Sequence, residues 1–87
     1  MKKDYAFIAI LDFAEDGINI NITFLDIAEA ISCAKDVQEA VRNAQEVLQL
    51  CLESRIRDGE LIPVATDIKD VKLEKNQRAV NISISVL

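Results

Sequence analysis

Hydrophobic positions along the chain follow three rhythms. Tyr5, Ala6, Phe7, Ile8, Ala9, Ile10 and Leu11 are nearly continuous, which predicts a strand over Tyr5–Phe13 covered on both faces. Ile18, Ile20, Ile22 and Phe24 alternate with Asn19, Asn21 and Thr23, the period of a second strand over Ile18–Phe24 with one apolar side. Glu15-Asp16-Gly17 between them is a turn signal, with Gly17 free to take a positive φ, so the two strands form an antiparallel hairpin. Ala79–Val86 alternates in the same way: Val80, Ile82, Ile84 and Val86 on one side, Asn81, Ser83 and Ser85 on the other. Leu25–Lys35 has the weakest pattern. A helical turn could begin within Leu25–Ala30, and Ala30–Cys33 reads as a short third strand.

The third rhythm is helical. Val37, Ala40, Val41, Ala44, Val47, Leu48, Cys51, Leu52 and Ile56 recur at spacings of three, four and seven, while Gln38, Glu39, Arg42, Asn43, Glu46, Gln49 and Glu53 take the other side. Asp36 can accept from the first-turn amides and Glu39 stands three residues later, a capping-box pattern. Asp58-Gly59 ends the helix, with Gly59 as the natural C-terminal stop. Pro63 disfavours helical backbone at Ile62. Thr66–Gln77 is charged with mixed sign, which suits a loop or a weak strand.

The expected order is therefore β-β-β-α-β. This is an α+β fold: an antiparallel three-stranded meander, a returning C-terminal strand, and one long helix on one face. Phe7, Leu11 and Phe13 would meet the helix. Ile8 and Ile10 would then point to the opposite face, which has no second helix to cover it. Such a patch is seldom left bare, so Ile8 and Ile10 are the expected oligomer interface. The alternative is that Thr66–Gln77 folds over them.

Composition narrows the function. Eighty-seven residues form one domain, 1–87, without room for a second core. Fifteen acidic and ten basic residues give a net charge of −5, which argues against a nucleic-acid grip built on bulk positive charge. Lys69, Lys72, Lys75 and Arg78 are the one basic stretch, but Asp67, Asp70 and Glu74 interleave with them and no aromatic accompanies them. No apolar run is long enough to cross a bilayer. Met1-Lys2-Lys3 lacks the rest of a secretory signal, so the expected location is the cytoplasm. Asn21-Ile22-Thr23 and Asn81-Ile82-Ser83 match a glycosylation sequon, but neither is expected to be used inside a strand of a cytoplasmic chain.

Catalytic equipment is sparse. The chain has no histidine, which removes Ser-His and Cys-His pairs, imidazole ligands and a histidine general base. Cys33 and Cys51 are too far apart in sequence for a CxxC motif. Cys51 reads as a small core residue and Cys33 as an exposed thiol with only Lys35 nearby. Gly17 and Gly59 form no phosphate loop. Asp12, Asp26 and Glu46 are the candidate carboxylates for a magnesium site, but Glu46 falls on the polar side of the helix and Asp26 in a loop. Neither a catalytic residue, a metal nor a cofactor is expected.

The order of local motifs adds to this. Tyr5-Ala6, Asp16-Gly17, Phe24-Leu25-Asp26, Asp36-Val37-Gln38-Glu39-Ala40 and Gly59-Glu60-Leu61-Ile62-Pro63 follow one another in the register of HicB-family antitoxins, whose N-terminal domain the chain resembles. Both prolines and the glycine that the family places around the loop after strand two are absent here. The resemblance implies a partial ribonuclease-H-like fold of the same β-β-β-α-β order. It also implies a non-catalytic protein that masks a small, basic, RNA-cleaving HicA-like toxin. Family members usually add a C-terminal DNA-binding domain. The sequence ends at Leu87, so a short form without direct DNA binding is expected, acting as a homo-oligomer, dimer or tetramer. Two other readings stay open: an orphan regulatory or structural domain without a toxin, and a metal-dependent ribonuclease-H-like nuclease using Asp12.

Overall fold

The computed structural model describes residues 2–13 and 17–86. Four strands and one helix succeed one another: β1 (Lys3–Phe13), β2 (Ile20–Phe24), β3 (Ile31–Ala34), α1 (Val37–Arg57) and β4 (Gln77–Val86), with a single 3-10 turn at Ile68–Asp70 before β4. All pairings are antiparallel, and the sheet order is β3-β2-β1-β4. The α+β architecture and element order thus match those expected from the sequence.

Element limits shift by a few residues. β4 begins two residues early because Gln77 pairs with Asp12. β3 is displaced to Ile31–Ala34, and Leu25–Ala30 carries only a tight turn closed by Ala30 N–H to Ile27 O. Glu15 and Asp16 of the expected hairpin turn lie outside the described residues; Gly17 has a φ of 69°. The helix ends as its sequence requires, with Gly59 at a φ of 73° and the Gly59 and Glu60 amides returning to Ile56 O and Arg55 O. This is the left-handed exit that glycine adopts without a Cβ penalty.

Alternation decides which strand side chains meet the helix. Phe7, Ala9 and Leu11 on β1, Ile20, Ile22 and Phe24 on β2, and Ile82, Ile84 and Val86 on β4 form one buried cluster with Ala40, Ala44, Leu48 and Leu52 of α1. Ala40 and Ala44 are fully buried, and their small side chains let the helix backbone lie close to the sheet. The stripe is narrower than its sequence spacing suggests. Val41, Val47 and Cys51 are only partly buried, whereas Val37 and Ile56 are exposed.

Ile8 and Ile10 point to the other face, yet they are only 3% and 6% exposed in the single chain. This corrects the expectation of a bare apolar patch. Their cross-strand neighbours are Thr23, Ala79 and Asn81, with the Leu25 amide bonded to Ile8 O. The helix packs on the other face, so these two side chains need another cover, and the connection from α1 to β4 is anchored near both ends of this stretch of β1. Thr66 is tied to Asp26 just after β2, and Asn76 O accepts the Phe13 amide at the far end of β1. Ile8 and Ile10 are therefore core residues of a second, smaller layer.

Candidate protein-binding surface

Three polar ties hold the loops around the sheet. At the start of α1, Asp36 is the N-cap, and its Oδ1 accepts from Glu39 N–H at 2.8 Å. Glu39 Oε1 reaches back to Lys35 N–H at 3.3 Å, one residue before the position a capping box would use. Near the end of α1, Arg55 forms a forked pair with Glu29 in the turn before β3, with Nε to Oε2 at 2.6 Å and Nη2 to Oε1 at 2.7 Å. The Arg55 guanidinium holds the Glu29 carboxyl down at about 2. The third tie is Asp26, which accepts the Thr66 backbone amide at 2.8 Å and the Thr66 hydroxyl at 2.7 Å.

Fixing the α1–β4 connection at Thr66 has a visible result. Pro63, Thr66 and Val71 are half-buried and Ile62 packs on the main core, while several other apolar side chains of the connection project outward. Leu61 is 90% exposed and Val64 is 92% exposed; Ile68 and Leu73 continue the series. Asp58, Glu60, Asp67, Asp70 and Glu74 stand among them, against Lys69, Lys72 and Lys75. Exposed apolar side chains among charges of mixed sign, on a connection anchored at Thr66 and Asn76, have the character of a protein-binding surface.

The residues weighed for chemistry are dispersed. Asp12 accepts from Gln77 Nε2 at 3.1 Å, Asp26 is occupied by Thr66, and Glu46 is exposed on the helix. Among the described residues, no three His, Cys, Asp or Glu side chains gather where a metal ion could be held. Cys33 is exposed on β3 and Cys51 half-buried on α1, both as free thiols. Burial pushes the Cys51 thiol up, with the Glu29 charge adding to it. Among the described residues, no helix is long and apolar enough to cross a membrane.

Two structural contacts escaped sequence reasoning. Nothing in spacing or periodicity joins Asp26 to Thr66 or Glu29 to Arg55, because both ties depend on where long connections return in space. Asp26 did carry one signal, its place in the Phe24-Leu25-Asp26 motif.

A single four-stranded antiparallel sheet with one face under one helix places the chain among two-layer α+β domains. The model of the HicB-like antitoxin family of bacterial toxin–antitoxin systems matches residues 6–87, and the chain belongs to that family. Its fold is that of the crystal structure of the N-terminal domain of the Burkholderia pseudomallei antitoxin HicB. The TM-score is 0.71 at 21% identity, over 94% of this chain and 98% of that one. A comparison with curated proteins found no match.

Proposed function

We propose that this chain is a non-catalytic antitoxin module that binds and masks a small, basic, HicA-like RNA-cleaving toxin in the cytoplasm. Family membership across residues 6–87 carries the reading. The ridge of Leu61, Val64, Ile68 and Leu73 is the surface we assign to the toxin. Apolar side chains that already project outward can be buried by a partner without unfolding the chain, and five acids against three lysines over 58–75 leave a small negative balance that suits a basic protein. Opposite charge accelerates encounter and orients it, while apolar contact supplies most of the affinity. The module acts as a homo-oligomer.

Co-expression with a small basic protein encoded beside it tests this reading. A complex recovered by affinity capture, together with restored growth, supports a toxin partner. A toxic neighbour that is neither captured nor neutralised refutes it and favours the orphan domain. Magnesium-dependent RNA cleavage by the purified chain, lost in Asp12→Asn, would instead support the nuclease.

A further inference from the structure

Asp26 and Thr66 stand on backbone of unlike kinds. Asp26 lies between Phe24 and Ile27, both buried in the core, and the Leu25 amide beside it bonds to Ile8 O. Its carboxylate is therefore held in place by the sheet. Thr66 lies on the connection between α1 and β4, where the 3-10 turn at Ile68–Asp70 is the one regular element among the described residues. The bonds of that turn are local: Asp67 Oδ1 accepts from Lys69 N–H at 3.0 Å, and Val71 N–H donates to Ile68 O at 3.2 Å. They shape the turn without attaching it to the sheet.

The two bonds from Thr66 do attach it. The backbone amide donates to Asp26 Oδ2 and the hydroxyl to Asp26 Oδ1, so both oxygens of one half-buried carboxylate are engaged by one residue. Before Thr66 the chain is pinned once more, at Ile62, which packs on the core, and Pro63 restricts the backbone next to it. Val64 stands exposed between these pins, and Ile68 stands exposed two residues beyond the second. Two donors on one residue fix its orientation as well as its position, and with it the outward direction of its neighbours.

We propose that Asp26 and Thr66 are a positioning pair for toxin capture: they hold Val64 and Ile68 in their outward arrangement before the toxin arrives. The proposal rests on the reading that this ridge meets the toxin. Neither member of the pair needs to touch the toxin. A loop ordered in advance loses less freedom on binding, and affinity falls in proportion to the fraction of chains that hold the competent arrangement. Loss of the pair slows association, because fewer encounters meet a formed ridge. The contacts of the finished complex, and hence dissociation, stay as they were.

Binding kinetics with the purified HicA-like toxin encoded beside this chain test the proposal. Thr66→Val removes the hydroxyl bond and keeps the Asp26 charge, whereas Asp26→Ala removes both bonds. Association should fall by at least about threefold in Thr66→Val and at least about tenfold in Asp26→Ala, with dissociation unchanged. Thr66→Ser keeps both donors and should bind as wild type does. Ile82→Val loosens the core on the helix side of the sheet, leaves the pair intact, and should also bind as wild type does. Order parameters of the free chain add a readout independent of the toxin. The Val64–Ile68 amides should be as rigid as the sheet in wild type, near about 0.85, and fall below about 0.6 in Asp26→Ala.

Wild-type association by Asp26→Ala, while Leu61→Asp/Val64→Asp loses binding, overturns the positioning role and leaves the ridge in place. Wild-type binding by all of these variants overturns the ridge and the proposal with it. Equal weakening by Ile82→Val overturns the proposal in favour of general stability. Val64–Ile68 amides already mobile in wild type overturn it without any toxin. Should Asp26→Ala fail to fold, the two Thr66 variants decide: equal association by Thr66→Val and Thr66→Ser overturns the pair.

Discussion

Thr66 donates both its backbone amide and its hydroxyl to the carboxylate of Asp26, forty positions earlier in the chain. That contact fixes a connection that would otherwise have no regular structure near this point. It also decides which apolar side chains face in and which face out. Ile8 and Ile10 are covered, whereas Leu61 and Val64 are presented.

Asp26→Ala should release the connection at that point. Hydrogen bonds to a charged acceptor contribute about 1.5–3 kcal/mol, and part-burial of this pair favours the lower half of that range. Urea denaturation should show a loss of about 1.5–2 kcal/mol. Hydrogen exchange should rise first at Thr66. An unchanged midpoint would mean that the connection is held elsewhere.

Ile8→Asp should prevent cooperative folding, because it places a charge without a partner in a closed apolar layer. Ile8→Ala should cost about 2–4 kcal/mol from lost burial and the cavity left behind. A folded Ile8→Asp chain that is merely monomeric would return this residue to an oligomer interface.

Removal of the helix cap in Asp36→Ala should cost about 1 kcal/mol. The measurement is the denaturation midpoint at neutral pH. No change would mean that the Glu39 amide finds equivalent solvation without Asp36.

Glu29 gives a pH signature. Its carboxyl is lowered from 4.5 to about 2 in the folded chain, chiefly by hydrogen bonding to Arg55. The folded pKa lies below the unfolded one, so the pair contributes fully above about pH 4.5 and loses that contribution as pH falls toward 2. Glu29 is half-exposed, so solvent screens the pair, and Glu29→Gln should cost at most about 1 kcal/mol at pH 7. The difference between wild type and Glu29→Gln should shrink steadily below pH 4.5. A difference that stays constant to pH 2 would rule out the ion pair as its source.

Local periodicity was enough to identify β1, β2, β4 and the helix, whereas β3, in a stretch without clear period, was placed one residue early. Ile18–Phe24 and Ala79–Val86 alternate cleanly, and α1 carries its stripe, its cap at Asp36 and its stop at Gly59. Burial of Ile8 and Ile10 was not legible, because an unbroken apolar run says that both faces are covered but not by what. The covering segment has mixed charge and no period, and its course is set by the tertiary contact at Asp26. The binding ridge was hidden for the same reason: Leu61 and Val64 flank Pro63 like ordinary loop residues until their outward orientation is seen.

Masking of a toxin is tested most directly by RNA cleavage with the purified HicA-like neighbour, titrated with this chain and with Leu61→Asp/Val64→Asp. Wild type should abolish cleavage at a stoichiometric amount. The double variant, changed at two highly exposed positions, should keep its denaturation midpoint and lose inhibition by at least tenfold. Cleavage that continues in excess wild-type chain would contradict the antitoxin function. Full inhibition by the double variant would place the toxin on another surface.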